Sequence, residues 1–177
     1  MPKMTKGRFK RLQEHFSKFP DSSLRTLYSD VVRMDGLHSF ARTESFTVEC
    51  DEPEGLGGSN KAPTPTQLFL ASLAHCQAIT VRIYSDAMGI GLSDIKVKVT
   101  GSLDLRGYFS VPGPDGELVD PALHDITIKT FIKSKEPSKK IVSLLRAIKG
   151  RGVCLSTVAK GTKMRFSYRH NGKPVNV

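Results

Sequence analysis

Three cysteines, Cys50, Cys76 and Cys154, are the side chains of this sequence best suited to act as nucleophiles. They are odd in number and widely spaced, which argues against a disulfide scaffold, and no CxxC or Cys/His group has the spacing of a zinc site. A thiol becomes reactive when its surroundings stabilise the thiolate. Cys76 lies near the middle of a long apolar helix pattern, and Cys154 follows a second one. Together they suggest a redox pair.

The immediate neighbours of each cysteine lead to different expectations. Cys154 follows the basic stretch 149–153 (KGRGV) and opens a short helix, which predicts a lowered thiol pKa. Cys76 has small neighbours that let another element approach. Adjacent His75 points about 100° away around the helix, so it is not automatically a base for Cys76. Cys50 ends a strand pattern and is predicted to be a core residue, since buried cysteine is most often a small hydrophobe.

The composition is that of one globular domain. The chain has 177 residues, of which 38% are hydrophobic and 25% charged, enough to bury a core. No run of about 18 apolar residues is present, so we expect no membrane span, and the start lacks the apolar stretch of a secretion signal. A reducing compartment, the cytoplasm, is therefore expected.

The chain is also strongly basic, with a formal net charge of +10. A field of this size could attract nucleic acid or an anionic membrane. The basic residues are scattered among helix and strand patterns, without interleaved arginine and aromatic residues. We therefore interpret the charge as a solvated face that favours thiolates, and nucleic acid as the less favoured partner. No GxGxxG or GxxxxGK[ST] motif is present, so we predict neither cofactor nor metal.

The hydrophobic pattern predicts an α+β fold. Helical spacing of apolar residues predicts helices over 5–18, 65–88, 137–148 and, shorter, 154–161. Strand patterns occupy 26–33, 39–42, 45–50, 95–99, 126–132 and 163–169. Strands grouped around helices in the order β-β-β-α-β-β-α-β argue for α+β. The helix over 65–88 is apolar on nearly every side, so we expect it to be central and buried.

A longer pattern occupies residues 51–76, DEPEGLGGSNKAPTPTQLFLASLAHC. This stretch resembles the osmotically inducible protein C (OsmC) and organic hydroperoxide resistance (Ohr) family, whose members carry LGG…(N/S)P…L(L/F)xAxxAxC ahead of and within a central helix. The similarity continues into residues 153–157, VCLST, where the family usually has V-C-P-x-S. It covers roughly residues 26–172. We therefore divide the chain into a basic helical extension, 1–25, and an OsmC-like domain, 26–177.

The resemblance implies a thiol-dependent peroxidase that acts in oxidative stress defence and folds as an intertwined homodimer with its sites at the subunit interface. It implies that Cys76 attacks an organic hydroperoxide as a thiolate and becomes a sulfenic acid, and that Cys154 then condenses with it to a disulfide. An external dithiol would reduce that disulfide, and apolar pocket walls would favour organic peroxides over hydrogen peroxide.

This sequence departs from the family pattern around the expected thiolate. Thr66 stands where the well-studied peroxidases have a glutamate, and Met34 where they have the arginine that the glutamate holds. Arg33 lies one residue earlier and could reach the site through a bulge; Arg42 is a second candidate. Leu155 replaces the usual proline. The alternative is a non-catalytic dimer that binds a small apolar or thiol-bearing ligand, and a nucleic-acid-binding protein ranks third.

Overall fold

The computed structural model describes residues 4–170 and 173–175. Its helices are α1 (Lys6–Lys18), α2 (Pro65–Met88), α3 (Leu105–Tyr108), α4 (Ser138–Ile148) and α5 (Val153–Lys160). Its strands are β1 (Asp30–Asp35), β2 (His38–Thr43), β3 (Phe46–Cys50), β4 (Asp94–Ser102), β5 (His124–Lys133), β6 (Tyr168–His170) and β7 (Lys173–Val175). The α+β prediction is confirmed. Residues 1–3 of the predicted extension (1–25) and residues 171–172 and 176–177 of the predicted OsmC-like domain (26–177) lie outside the described residues.

Helix α2 begins and ends where its local signals predict. The Thr64 side chain accepts a hydrogen bond from the backbone N–H of Gln67, and the Gln67 side chain accepts one from the N–H of Thr64, a capping box. Pro65 occupies the first turn, where its missing N–H costs nothing. Gly89 ends the helix with φ 67°, a left-handed conformation that glycine adopts without steric cost.

Two antiparallel sheets hold most of the strands. Strands β1, β2 and β3 form a meander, and a tight turn with Gly36 at φ 61° joins the first two. The register of β1 against β2 shifts between Val31 and Arg33, which marks a bulge. Strands β4 and β5 form a separate antiparallel pair. All six residues of β1 are exposed, so this sheet lies outside the core of the single chain.

The core lies where α2 and α4 meet the β4–β5 pair. Val81 of α2 and Leu144 of α4 are completely buried, together with Ile90 and Ile148. Ile95 and Ile132, which are cross-strand partners, pack against this cluster. The prediction that α2 is buried on nearly every side holds for this part of the helix only. The side chains of Phe69 and Ile79 remain 39% and 57% exposed.

Helix α1 packs on the end of α2. The ring of Phe9 meets the ring of Tyr84 edge to face, with 5.3 Å between the ring centroids. No residue of α1 is fully buried, so the helix rests on the surface of the domain. The division of the chain at residues 25 and 26 stays a prediction.

Two local predictions were wrong. The stretch 163–169 was predicted as one strand, but only its last two residues belong to a strand, β6, which pairs with β7 further along the chain. Residues 162–167 are irregular because they pair with no neighbouring strand in the described chain, and alternation alone does not make a strand. The loop predicted over 104–122 contains the single-turn helix α3, which is capped by the side chain of Asp104.

Candidate functional site

The two cysteines predicted to form a redox pair lie side by side. Cys76 occupies the middle of α2, and Cys154 lies in the first turn of α5. The two thiols are close enough for Cys76 to raise the pKa of the Cys154 thiol, and both residues are half-buried. A sulfenic acid formed on either sulfur would therefore lie within reach of the other thiol.

The electrostatics of Cys154 differ from the prediction. Burial raises the pKa of the Cys154 thiol, and the negative charge of Cys76 and the hydrogen bond between the two thiols raise this pKa further. The predicted lowering by the helix start and the basic residues is wrong, because the backbone contribution is smaller than these three effects. The nearby Cys76 and burial thus both favour the protonated form of Cys154.

Gly152, the residue before α5, brings the two helices together. A Cβ atom added at Gly152 would lie 3.3 Å from the sulfur of Cys76 and 3.0 Å from Cδ1 of Leu155. Its backbone has φ −72°, which any residue can adopt, so the glycine is needed for close approach rather than for its conformation. A contact of this kind leaves no sequence signal beyond the glycine itself.

Side chains next to Cys76 fix the helix that carries it. The hydroxyl of Thr80 donates a hydrogen bond of 2.7 Å to the backbone carbonyl of Cys76. The side-chain amide of Gln77 donates one of 3.2 Å to the hydroxyl of Thr130 on β5. These two bonds hold the Cys76 turn of α2 to itself and to the sheet.

An apolar groove of about 490 Å³ opens beside the cysteine pair. Its lining includes Gly152 and the two residues that directly follow the cysteines in the chain, Gln77 and Leu155. Its walls are mainly aliphatic, formed by Val142, Leu145, Ile148, Leu155 and Ala159. Arg146 and Lys149 line it as well and are exposed. The groove suits a small molecule with an apolar body.

The loop that leads into α2 is built around a buried carboxylate. Asp51 is 1% exposed and accepts backbone hydrogen bonds from Glu52, Ser59 and Lys61 at 2.8, 3.1 and 3.0 Å. The bond from Lys61 is the largest of the effects that lower the pKa of Asp51. A Cβ at Gly58 would lie 1.8 Å from the carbonyl oxygen of Glu52, so this position accepts only glycine. The sequence pattern did not predict this anchoring role of Asp51.

The predicted cations lie elsewhere in this chain. The guanidinium carbon of Arg33 lies 3.9 Å from the centre of the Phe40 ring, a cation–π contact on the exposed meander. Arg42 is exposed on β2, and Thr66 lies in the first turn of α2. In the part of the chain that the structure describes, no hydrogen bond joins Arg33 to either thiol. Its predicted role at the thiolate stays a prediction.

Cys50 takes no part in the cysteine pair. It ends β3 opposite Ser39, and burial together with the charge of Glu52 raises the pKa of its thiol. Among residues 4–170 and 173–175 no three His, Cys, Asp or Glu side chains come together to hold a metal ion. Within the same residues, no helix has the length and apolar character needed to cross a membrane.

Comparison with known proteins identifies the family. The model of the OsmC-like protein family matches residues 58–167, which is 110 of the 177 residues. No curated protein matches the chain.

Several solved structures share the fold at low sequence identity. An OsmC-like protein from Mycoplasma pneumoniae is 20% identical, with a TM-score of 0.61 over 76% of this chain and 88% of its own. An organic hydroperoxide resistance protein OsmC from Legionella pneumophila is 18% identical, with a TM-score of 0.54 over 77% and 90% of the two chains. A Vibrio cholerae protein of the hydroperoxide resistance type, with captopril bound in one active site, is 15% identical, with a TM-score of 0.52 over 79% and 88%.

The matched region runs from the glycine-rich loop, through the Cys76 helix, to the segment after Cys154. It therefore includes both thiols, the groove beside them and the β4–β5 pair. This chain belongs to the OsmC-like protein family.

Proposed function

We propose that the protein is a thiol-dependent peroxidase that reduces organic hydroperoxides through Cys76 and Cys154. The observation that carries this proposal is that the two thiols are neighbours, beside an apolar groove lined by Gln77, Gly152 and Leu155. Membership of the OsmC-like family and the hydroperoxide resistance proteins among its structural neighbours support it.

In the proposed reaction, the Cys76 thiolate attacks the terminal oxygen of a hydroperoxide ROOH. The O–O bond breaks, ROH leaves with a proton, and the Cys76 sulfur becomes a sulfenic acid. The Cys154 thiol attacks that sulfur, an S–S bond forms, and water leaves. An external dithiol then reduces the disulfide and is itself oxidised to a disulfide, which restores both thiols.

The protonation of Cys154 fits the resolving role. A nucleophile must be ionised, whereas a resolving thiol that keeps its proton can first stabilise the neighbouring thiolate by a hydrogen bond. Since burial and the neighbouring Cys76 raise the pKa of the Cys154 thiol, we assign the attack to Cys76. Formation of the sulfenic acid removes the Cys76 charge that raises the pKa of Cys154, and this favours ionisation of Cys154 for the second step.

Assembly as a homodimer completes this proposal. The single chain leaves exposed Val31 and Met34 on β1, Phe46 on β3 and Ile79 on α2, with 57–74% of each side chain accessible. Apolar side chains in such number mark an interface. We propose that a second copy covers them and that Arg33 acts at a thiol pair only in the dimer. Sedimentation of the purified protein tests the dimer, and the cytoplasm is the expected compartment.

Stopped-flow mixing of the reduced protein with cumene hydroperoxide and with hydrogen peroxide tests the activity. We expect rapid loss of two thiols per chain with the organic peroxide and slower loss with hydrogen peroxide. Cys76→Ser should abolish the fast phase. Cys154→Ser should keep one turnover and accumulate a sulfenic acid that dimedone traps. Cys50→Ser is the matched control, and its rate should equal that of the unchanged protein.

A reaction no faster than that of a free thiol would contradict the proposal. In that case the second candidate, a dimer that binds a small apolar or thiol-bearing ligand without turnover, would explain the site better. One observation favours it, since the Arg33 guanidinium lies on Phe40 and not against a thiol. Calorimetry with an apolar thiol would then show binding to the reduced protein that is lost in Leu155→Asp, a change in the groove wall.

A further inference from the structure

The outer face of the β4–β5 pair is basic. Alternate residues of the two strands point to opposite sides, and the side that carries Ile95 and Ile132 packs on the core. The opposite side carries four lysines, one aromatic ring, two threonines and one aspartate, namely Lys96, Lys98, Lys129, Lys133, Phe131, Thr100, Thr127 and Asp94. We call these eight residues the lysine face.

The charges of the lysine face are not balanced within the chain. Lys98 lies directly opposite Lys129 in the register, and like charges in a cross-strand pair destabilise a sheet. All four lysines are exposed, and no ion pair of theirs is found among residues 4–170 and 173–175. A face that keeps such a repulsion is complementary to an anion.

Phe131 adds a stacking surface between the charges. It lies opposite Lys96, one ladder step of the same face away from the Lys98–Lys129 pair, and 56% of its side chain is exposed. A sheet face that presents an aromatic ring among cations is an arrangement that proteins use to bind single-stranded nucleic acid, with bases stacked on the ring and phosphates held by lysines.

We propose that the lysine face binds single-stranded nucleic acid. Lysines two positions apart on one strand are separated by about 7 Å, which lets successive cations follow an extended phosphate backbone. An anionic membrane fits less well, because Phe131 is the one large apolar side chain among the eight residues. This function is separate from the proposed chemistry of the cysteines.

Strand pairing creates a pattern that is hidden in the linear sequence. Lys96 and Lys98 are about thirty positions away from Lys129 and Phe131. The sequence analysis found no interleaving of basic and aromatic residues because it compared neighbours in the chain. The antiparallel register places them as neighbours on the surface.

Fluorescence anisotropy with a labelled 20-nucleotide oligo(dT) tests the proposal, with a duplex of equal length for comparison. We expect the single strand to bind more tightly than the duplex. With three or four phosphates neutralised, the logarithm of the affinity should fall with the logarithm of salt concentration with a slope of roughly −2 to −3.

Three variants locate the binding surface. Lys98→Glu should weaken binding roughly 10-fold or more, while its new attraction to Lys129 raises the melting temperature. Phe131→Leu keeps an apolar side chain but removes the ring, and should weaken binding roughly 5- to 20-fold. Lys139→Glu makes the same charge change at an exposed position of α4 and should weaken binding less than twofold.

Several outcomes would overturn the proposal. These are no binding at about 50 mM salt, equal affinity for single strand and duplex, or equal loss in Lys98→Glu and Lys139→Glu. Binding to phosphatidylserine vesicles with none to oligo(dT) would assign the face to membranes instead. The peroxide reaction of Lys98→Glu serves as a check on folding and should remain unchanged, whatever the result for the cysteines.

Discussion

Replacing Gly152 with alanine should slow the chemistry of the cysteine pair while leaving the fold nearly as stable. The new Cβ would lie 3.3 Å from the sulfur of Cys76 and 3.0 Å from Cδ1 of Leu155. Ordinary contacts between such atoms are about 3.5–4.0 Å, so the sulfur must move by roughly 0.2–0.7 Å. Leu155 lines the groove and has room to turn away. Cys76 has Cys154 as a neighbour, so a displacement of its sulfur alters the thiol pair.

Two opposing terms set the effect on stability. Crowding of a packed site costs about 1–3 kcal/mol, and the lower end applies here because Leu155 can yield. Alanine at φ −72° restricts the unfolded chain and returns about 0.4–1 kcal/mol. The free energy of unfolding should therefore fall by about 1 kcal/mol or less.

The effect on rate should be larger than the effect on stability. A misplacement of about 1 Å at a reacting centre can cost about 100-fold, so a shift of roughly 0.2–0.7 Å corresponds to about 3- to 25-fold. Stopped-flow thiol loss with cumene hydroperoxide measures this, and disulfide formation by diamide measures it independently of any peroxidase activity.

Gly55→Ala is the matched control. Nothing lies within 4 Å of an added Cβ there, so both rates should stay unchanged. The reasoning fails if Gly152→Ala, with its folding verified by urea unfolding, forms the disulfide as fast as the unchanged protein. That result would mean that Gly152 does not set the position of the Cys76 sulfur.

Three further predictions test the surroundings of the site. Asp51→Asn should be less stable than the unchanged protein at neutral pH. Because the pKa of Asp51 is lowered in the folded state, the stabilisation by this carboxylate is complete above its ordinary pKa of 3.8 and is lost as the pH falls through the lower folded pKa. The urea midpoints of the two proteins should therefore converge in acid, and a constant difference would contradict this. Cys76→Ser should lower the pKa of Cys154 towards, but not to, its ordinary value, since the Cys76 charge disappears and the burial of Cys154 remains. The pH profile of alkylation by iodoacetamide in a Cys50→Ser background measures this pKa. An unchanged profile would refute the effect of Cys76 on Cys154. Leu144→Ala, at a fully buried position, should lower the free energy of unfolding by about 3–5 kcal/mol. Leu145→Ala, at a side chain that is 41% exposed, should lower it by less than half as much. Equal losses would show that the face of Leu145 is covered in solution.

The sequence predicted those parts of the fold that depend on neighbouring residues. The bounds of α2 follow from Thr64, Pro65 and Gly89, which act within one helical turn, and the structure confirms them. The strand over 163–169 was wrong because a strand depends on a pairing partner that is distant in sequence. Composition and alternation carry no information about which strand that partner is.

The candidate site was predictable to a similar extent. The two cysteines were identified from their helices and from the family pattern, and the structure places their thiols in contact. The pKa of Cys154 was predicted with the wrong sign, because burial and the charge of Cys76 arise from packing between α2 and α5. The approach of Gly152 and the lysine face also come from tertiary contacts and strand register.

The distance in sequence between the paired thiols has a consequence for unfolding. Cys76 and Cys154 are 78 positions apart, although their sulfurs are neighbours in the fold. A bond between them would close a long loop and remove conformational entropy from the unfolded chain, equivalent to about 4.5 kcal/mol at 25 °C. The oxidised form should then melt at a higher temperature than the reduced form. Heat resistance would thus report the redox history of the protein, and the reduced form would be the one that proteases remove first.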